Sequence, residues 1–250
     1  MTQSPPLLRG RAVTKSFGNE LLGSAPGNFT LRSVDIDLRA GEILTVAGGA
    51  GAGKTTLLQC LCGLLRPESG RIEVFGDPVK PGWCPPQIAY VPAAPVYYPF
   101  LTPRDVLEFS AIRNNPSSRS SGAVDQALQR LDLMRVESST VTSLPRDVLR
   151  RLAVAEALVG DPEIILMDTT ADDIVTLGPV VLACLKRKAD AGCAVMLATR
   201  DISAVVRVAT RLMLLDHGRT SRTFALESLG EPIVSGLPAH LPRLVAERVH

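Results

Sequence analysis

The chain has 250 residues, of which 46% are hydrophobic and 21% charged, and its formal net charge at pH 7 is +2. This balance is typical of one globular domain with a large core. The near-neutral charge gives no reason to expect a nucleic-acid partner. No run approaches the roughly 20 apolar residues of a membrane span, and the N-terminal sequence lacks the hydrophobic region of a signal peptide.

The cysteines are odd in number and form no Cys-x-x-Cys pair. We expect them to be reduced thiols in the cytoplasm, buried as small hydrophobic residues, and not to bind a metal. They are Cys60, Cys62, Cys84, Cys184 and Cys193.

The first part of the chain is predicted to be rich in β-structure. Short strands are expected around 12–13 and 34–38, and residues 18–30 have the composition of a long hairpin connection. A strand-like apolar run then occupies 43–47. A helix-like run follows the next loop, with leucines at helical spacing (Leu57, Leu61, Leu64 and Leu65), before another strand at 71–75.

The sequence changes character over residues 101–150. A helix is predicted to start at Thr102 and Pro103, a polar stretch at 114–122 is expected to be a surface loop, and a second helix is predicted over 124–133.

Alternating strands and helices then return, which is the pattern of a parallel α/β sheet. Strands are predicted at 164–167, 194–198 and 212–215. Helices are predicted at 180–189 and 205–211, with Pro179 suited to the first turn of the former. A terminal helix is predicted at 241–249.

A glycine-rich loop between the predicted strand at 43–47 and the helix has the spacing of a phosphate-binding P-loop. Gly48 is followed after four residues by Gly53, Lys54 and Thr55. Glycines let the backbone N–H groups face phosphates, and the helix N-terminus adds partial positive charge. Lys54 is predicted to reach the β- and γ-phosphates, and the Thr55 hydroxyl is predicted to bind Mg²⁺. The predicted nucleotide-binding residues are Gly48, Gly49, Ala50, Gly51, Ala52, Gly53, Lys54, Thr55 and Thr56.

Over residues 8–219 the chain resembles the nucleotide-binding domain of ATP-binding cassette (ABC) transporters. The resemblance rests on AGGAGAGKTTLLQCLCGLLRPESGRIEVFG at 47–76, IAYVPAAPVYYPFLTPRDVLEF at 88–109, RRLAVAEALVGDPEIILMD at 150–168 and LATRDISAVVRVATRLMLLDHGR at 197–219. It implies an α/β fold with a P-loop NTPase (RecA-like) core, an N-terminal antiparallel β subdomain and an inserted α-helical subdomain. We expect the core at 1–93 and 149–219, the helical subdomain at 94–148 and a C-terminal tail at 220–250.

The resemblance also assigns site residues. Phe17 stands where the family places an aromatic residue that stacks on adenine, although a Phe at a strand edge or in the core is the simpler alternative. Asp168, at the end of a buried strand, matches the Walker B aspartate and is expected to hold Mg²⁺ together with Thr55. A turn-forming Asp is the alternative.

Four family positions carry other residues. Thr169 replaces the glutamate that polarises the attacking water, and Asp172 or Asp173 could substitute only if the backbone were rerouted. Arg200 replaces the switch histidine and is either a cation near the γ-phosphate or a solvated residue. Ala93 replaces the Q-loop glutamine. The signature LSGGQ corresponds to Leu144-Pro145-Arg146-Asp147-Val148, which is typical of an ordinary helix start.

These departures predict an ATP-binding subunit of an ABC transporter with weak or absent hydrolysis. By the resemblance it would bind Mg-ATP at a dimer interface, with a second cassette, more readily a different one than a copy of itself, and with membrane-spanning subunits on the cytoplasmic face of the membrane. The aromatic cluster Tyr97, Tyr98 and Phe100 would either face the membrane subunit or fill the core of the helical subdomain. The alternatives are a soluble ABC-type regulatory or assembly protein, and a small-molecule kinase, for which the sequence offers neither an acceptor site nor an arginine-bearing lid.

Overall fold

The computed structural model describes residues 5–17, 29–114, 121–169, 173–200, 202, 205 and 207–226. Most of the expected hairpin connection at 18–30 and of the expected surface loop at 114–122 lies outside the described residues. The terminal helix predicted at 241–249 and the side chains of Asp172 and Asp173 also lie outside them.

The described residues form strands and α-helices in an alternating order after an all-β start. In chain order they are β1 Leu8–Ser16, β2 Phe29–Leu38, β3 Ile43–Ala47, α1 Lys54–Leu61, β4 Ser69–Val74, β5 Asp77–Pro78, β6 Ile88–Val91, α2 Pro103–Asn114, α3 Ser121–Arg130, α4 Arg146–Val159, β7 Ile164–Asp168, α5 Asp173–Asp190, β8 Ala194–Thr199, β9 Arg211–Asp216 and β10 Arg219–Ala225.

The strands make two sheets. An antiparallel sheet has the order β2-β1-β4-β5, and a six-stranded sheet has the order β10-β9-β3-β8-β7-β6. In the larger sheet β9, β3, β8, β7 and β6 are parallel and only β10 runs antiparallel. Every residue of β3, β7 and β8 is buried, as expected of parallel strands covered on both faces. The predicted α/β fold with an N-terminal antiparallel sheet is confirmed.

Helix α1 lies between the two sheets and packs on both. It contacts β7 and β8 on one side and β1 and β2 on the other. Its leucines Leu57, Leu58 and Leu61 are fully buried in the core that the two sheets share. The start of α1, where the P-loop ends, is therefore held in a fixed position relative to both sheets.

Helices α2, α3 and α4 pack together as an insert between β6 and β7. Their apolar residues form one cluster with residues of α5 and of the parallel sheet, including Leu107, Leu128 and Leu152. Helix α4 runs without interruption through the boundary expected at 149, and β10 continues the sheet past the boundary expected at 219. A regular element thus crosses each of these positions, and the expected division into core, helical subdomain and tail stays a prediction.

Three elements differ from the sequence prediction. Helix α1 ends at Leu61 and not near Leu65, because Gly63 adopts a φ of +80° that terminates the helix. The prediction of a helix over 205–211 is wrong at its C-terminal end. The Ala209 N–H bonds to the Val205 carbonyl oxygen in a turn, and Arg211 is already the first residue of β9.

Helix α5 starts seven residues earlier than the predicted 180–189 and carries a kink. Gly178 has φ of 67° and ψ of 164°, and Pro179 begins the regular turns after it, as its sequence position predicts. None of the helices among the described residues is long and apolar enough to cross a membrane.

Candidate functional site

The loop of residues 48–53 lies at the edge of the sheet where the parallel strands end. Its first glycine, Gly48, passes so close to β9 that an added Cβ would lie 2.2 Å from the Leu215 carbonyl oxygen. Its last, Gly53, has a φ of 102°, and a Cβ there would lie 2.3 Å from the Thr30 carbonyl oxygen. Any side chain at either position would push the loop away from the strands that hold it.

The N-terminus of α1 is open for an anion. Gly53 precedes the helix and provides no side chain to cap it, so no side-chain cap hydrogen bond forms there. The first N–H groups of a helix lack intrahelical partners, and the helix dipole adds partial positive charge to them. This end of α1 has the geometry of a phosphate site.

The Lys54 side chain folds back over the loop. Its Nζ donates hydrogen bonds to the carbonyl oxygens of Gly48 and Gly49, both at 2.8 Å, and the residue is only 8% exposed. Burial lowers the pKa of Lys54 to about 8, against the opposing charge of Asp168 and with a further lowering by Arg200. The ammonium group is thus partly desolvated, and a bound anion would offset the free energy of that desolvation.

Thr55 and Asp168 meet across the site. The Thr55 hydroxyl donates to the Asp168 Oδ2 at 2.6 Å, which joins the first turn of α1 to the end of β7. Burial raises the pKa of Asp168, while the bond from Thr55 and the charge of Lys54 oppose that rise. A hydroxyl and a carboxylate side by side are the hard oxygen ligands that Mg²⁺ prefers, so the residues present fit this ion.

Thr169 is bonded to the neighbouring strand β8. It is 5% exposed, its hydroxyl donates to the carbonyl oxygen of Ala198 at 2.7 Å, and its backbone N–H bonds to the same oxygen at 3.0 Å. Both groups extend the pairing of β7 with β8. The residue at the expected glutamate position therefore serves the sheet and has no free hydroxyl to offer a water molecule.

Arg150 is a buried cation behind the site that the sequence did not single out. It is 3% exposed, and its guanidinium donates to the backbone carbonyl of Asp168 at 2.8 Å and to that of Pro92. It joins α4 to the segments that follow β6 and β7. The adjacent apolar run Leu152–Ala155 indicates that this part of α4 is buried, but it does not show that Arg150 is buried with it.

Arg200 and Ala93 flank the same edge of the sheet. Arg200 follows β8, is partly buried, and its charge lowers the pKa of Lys54. Asp201 lies outside the described residues. Ala93 follows Pro92 and is partly buried, with only a methyl group to offer.

Phe17 lies at the far end of β1, half exposed, with the Lys15 ammonium 5.4 Å from its ring centre. This position leaves ring surface available to a base, and a stacking role stays a prediction.

The segment expected at the signature position begins a helix. Pro145 is the N-cap residue of α4, one position before the predicted first turn, and it has no N–H to donate. Asp147 lies in the first turn and pairs with Arg151 at 3.5 Å, while Arg146 is exposed at the helix start. A phosphate approaching this end would meet one free arginine and one paired carboxylate.

The aromatic cluster divides between core and surface. Tyr97 packs against the core of the helical insert, and its hydroxyl bonds to Glu156 at 3.4 Å. Tyr98 and Phe100 are 70% and 73% exposed and stack on each other with ring centres 5.7 Å apart. Neither alternative from the sequence holds for all three residues.

The comparison with known families identifies the class of protein that has this fold. The family model described as ABC transporter matches residues 31–171, more than half of the chain. The hemin import ATP-binding protein HmuV of Vibrio parahaemolyticus is 30% identical over 226 residues, which cover 85% of this chain and 83% of HmuV. The SkfA peptide export ATP-binding protein SkfE of Bacillus subtilis is 29% identical over 188 residues, covering 74% and 79%.

Solved structures agree on the fold. A dimeric bacterial ABC transporter cassette superposes with a TM-score of 0.76 at 23% sequence identity, covering 88% of this chain and 98% of that one. The chain belongs to the ABC transporter family and is a nucleotide-binding domain of that family. ATP binding is the property that this domain implies.

Proposed function

We propose that this protein is the ATP-binding subunit of an ABC transporter that holds Mg-ATP and hydrolyses it slowly or not at all. The observation that carries the proposal is the Thr169 hydroxyl, which is bonded to the Ala198 carbonyl oxygen and buried in the sheet. A hydroxyl cannot accept a proton at neutral pH, and losing a positioned base typically costs on the order of 10²–10⁴-fold in rate.

The binding half of the site supports retention of ATP. Lys54, Thr55 and the open N-terminus of α1 supply a cation, a Mg²⁺ ligand and backbone donors in one place. When bound, Mg²⁺ would neutralise phosphate charge, and Thr55 and Asp168 would hold it. Lys54 would then exchange its two carbonyl partners for phosphate oxygens.

No replacement base is evident among the described residues. The charged groups that act on Lys54 are Asp168 and Arg200; the first would be a metal ligand and the second is permanently protonated. Glu156, the carboxylate near Arg150 and Tyr97, already accepts hydrogen bonds from Tyr97 and from Ser110 at 2.9 Å.

The degraded signature helix supports a heterodimer over a homodimer. In the family an ATP site is shared, with the signature of one subunit covering ATP held by the other. Two copies of this chain would contain no complete site, because each would lack both a base and a signature serine. We propose that it pairs with an intact cassette whose signature covers the ATP bound here, so that ATP stabilises the closed pair through linkage.

The exposed pair Tyr98 and Phe100 supports contact with a membrane-spanning subunit on the cytoplasmic face of the membrane. Aromatic residues that expose most of their area are typical of interface centres. They lie on the segment between β6 and α2, directly after the edge of the sheet that carries the nucleotide site. This is where a change at the site could reach a partner.

The proposal is tested by incubating the purified chain with labelled Mg-ATP and measuring bound ATP and released phosphate, with Lys54→Ala as the control. We expect ATP binding that depends on Lys54, and phosphate release at the level of that variant. Rapid phosphate release that depends on Lys54 would contradict the proposal. If the wild-type chain bound no nucleotide, that result would also contradict the proposal for the isolated chain.

A further inference from the structure

Two cysteine thiols meet at the end of α1 farthest from the P-loop. Cys62 caps the C-terminus of α1, and Cys84 lies in the segment between β5 and β6. Cys84 packs against the apolar core that contains Cys62, and the Cys62 thiol is the first cause that lowers the pKa of Cys84. Burial raises the pKa of Cys60 and of Cys193, and no second thiol contributes to either shift.

The backbone around Cys62 and Cys84 holds them together. The Gly82 N–H donates to the Gly63 carbonyl oxygen at 2.8 Å; Gly63 directly follows Cys62, and Gly82 lies two residues before Cys84. Gly63 has a φ of +80°, and a Cβ on it would lie 2.6 Å from the Trp83 carbonyl oxygen. The segments that carry the two cysteines are thus in direct backbone contact.

Cys62 and Cys84 differ in their access to solvent. Cys62 is fully buried, whereas Cys84 is partly exposed and lines a cavity of about 530 Å³ that Arg113 and Tyr90 also line. The bond from the Cys62 thiol lowers the pKa of Cys84 against the effect of burial, and the charge of Arg113 lowers it further. The same bond and burial raise the pKa of Cys62. The accessible thiol is therefore the one that ionises first.

We propose that Cys62 and Cys84 are a redox-active pair that forms an intramolecular disulfide when the protein meets a hydroperoxide. The Cys84 thiolate attacks the terminal peroxide oxygen, breaks the O–O bond and becomes a sulfenic acid, and the other oxygen leaves as hydroxide or alkoxide and takes up a proton. The Cys62 sulfur then attacks the Cys84 sulfur and forms the S–S bond, while the hydroxyl leaves with the Cys62 proton as water. Two thiols are oxidised and one hydroperoxide is reduced.

The disulfide would tie the end of α1 to the segment that leads into β6. Helix α1 begins at the P-loop, and β6 ends two residues before Ala93. The disulfide would therefore connect the two elements that lead to these parts of the candidate nucleotide site. In a reducing compartment a disulfide of this kind is transient and acts as a sensor. The proposal does not depend on whether the chain hydrolyses ATP.

The test treats the full chain with hydrogen peroxide, blocks free thiols by alkylation and maps the peptides by mass spectrometry. We expect the five thiols of the reduced protein to fall to three, with one linked peptide pair that joins Cys62 to Cys84, and full reversal by dithiothreitol. Trp83 is the only tryptophan and adjoins Cys84, so its fluorescence should fall on oxidation and recover on reduction.

The variants separate a pair from a single reactive thiol. Cys62→Ser should leave Cys84 as a sulfenic acid that dimedone traps, and Cys84→Ser should abolish both products. Cys60→Ser, a buried thiol on the same helix, should behave as the wild type. Unchanged thiol counts, a disulfide between two molecules, or loss of the Cys60 thiol in place of Cys62 would each overturn the proposal; the wild-type peptide map decides the matter even if a variant fails to fold.

Discussion

Lys54 is the residue on which we propose that nucleotide binding depends, and its environment would make that binding sensitive to pH. Its ammonium group is buried against two carbonyl oxygens and loses its proton at lower pH than an exposed lysine. A bound triphosphate would favour the charged form. Binding and protonation are therefore linked at this residue.

We predict that the Kd for Mg-ATP rises with pH once the free protein loses the Lys54 proton. The pKa of Lys54 in the free protein is about 8, so below that value the lysine is charged in both states and affinity is flat. Above it, binding must take up a proton, and Kd should rise by up to about tenfold per pH unit. Titrations between about pH 7 and 9.5, at constant ionic strength, measure this slope.

The control for the Lys54 prediction is Lys54→Arg, whose guanidinium stays protonated over this range. Its affinity should be lower but independent of pH. A slope that persists in Lys54→Arg would assign the titration to another group.

The prediction for Thr169 concerns the stability of the fold and not the rate of ATP hydrolysis. Thr169→Val keeps the shape of the side chain but removes the hydroxyl that bonds to Ala198. We expect a loss of about 1 kcal/mol in the free energy of unfolding, measured in urea, with Mg-ATP affinity unchanged. Thr169→Ser should restore most of the loss. A variant that keeps its stability but loses ATP-dependent phosphate release would show that the hydroxyl acts in catalysis.

At the scale of elements, α4 is the helix that joins the insert to the nucleotide side of the sheet. Arg150 makes this connection through the carbonyl groups of Pro92 and Asp168. A buried guanidinium is destabilising if it loses its partners, and the carbonyl groups are left unpaired if it is removed. Removing either Arg150 or its carbonyl partners would therefore destabilise the contact between α4 and the sheet.

We predict that Arg150→Met lowers the free energy of unfolding by about 2–4 kcal/mol and also weakens Mg-ATP binding, since the backbone next to Asp168 loses its support. Urea unfolding and nucleotide titration measure the two effects. Arg151→Met is the matched control: Arg151 bonds to the carbonyl of Asp132 at 3.0 Å, within the insert. It should cost stability without changing nucleotide affinity, and equal effects of both variants on affinity would contradict a positioning role for Arg150.

The elements were predicted with unequal success, for physical reasons. The strand before Asp168 and the helix after the P-loop were predictable because continuous apolar runs and a glycine-rich loop are local signals. The end of α1 was missed because it depends on the conformation of Gly63, which the leucine spacing does not report. The turn after 205 was predicted as helix because its apolar residues pack on the sheet without continuing the helical hydrogen bonds.

The sequence predicted the residues of the candidate site that belong to recognisable motifs, but not the contacts that depend on the folded sheet. The contact of Thr55 with Asp168 follows from the resemblance, because the two residues are far apart in sequence and meet only through the parallel order of the strands. Neither the direction of the Thr169 hydroxyl nor the burial of Arg150 can be read from residue types alone. Both depend on which carbonyl groups the folded strands leave without a partner.

For the whole molecule, the exposed aromatic pair offers a test of assembly that does not involve ATP. Tyr98 and Phe100 expose most of their area and contribute little to the core. We predict that replacing both with Ser changes the free energy of unfolding by no more than about 0.5 kcal/mol. The same double variant should no longer co-purify with a membrane-spanning partner from detergent-solubilised membranes.

Phe109→Ser is the control for the aromatic pair, since Phe109 is 67% exposed but lies on α2. It should leave the partner bound. Loss of the partner in both variants would indicate a general effect of surface hydrophobicity, and retention in the double variant would place the contact elsewhere.

The two bonds that Thr169 makes to Ala198 also bear on how this protein could change over evolutionary time. A single substitution to glutamate at that position would put a carboxylate, which only accepts hydrogen bonds when ionised, against a carbonyl oxygen that also only accepts. By the proposed function, regaining a base at this position would thus lower the stability of the fold before any hydrolysis appeared. Within that proposal, the buried hydrogen bond from Thr169 to Ala198 opposes the return of a glutamate at this position.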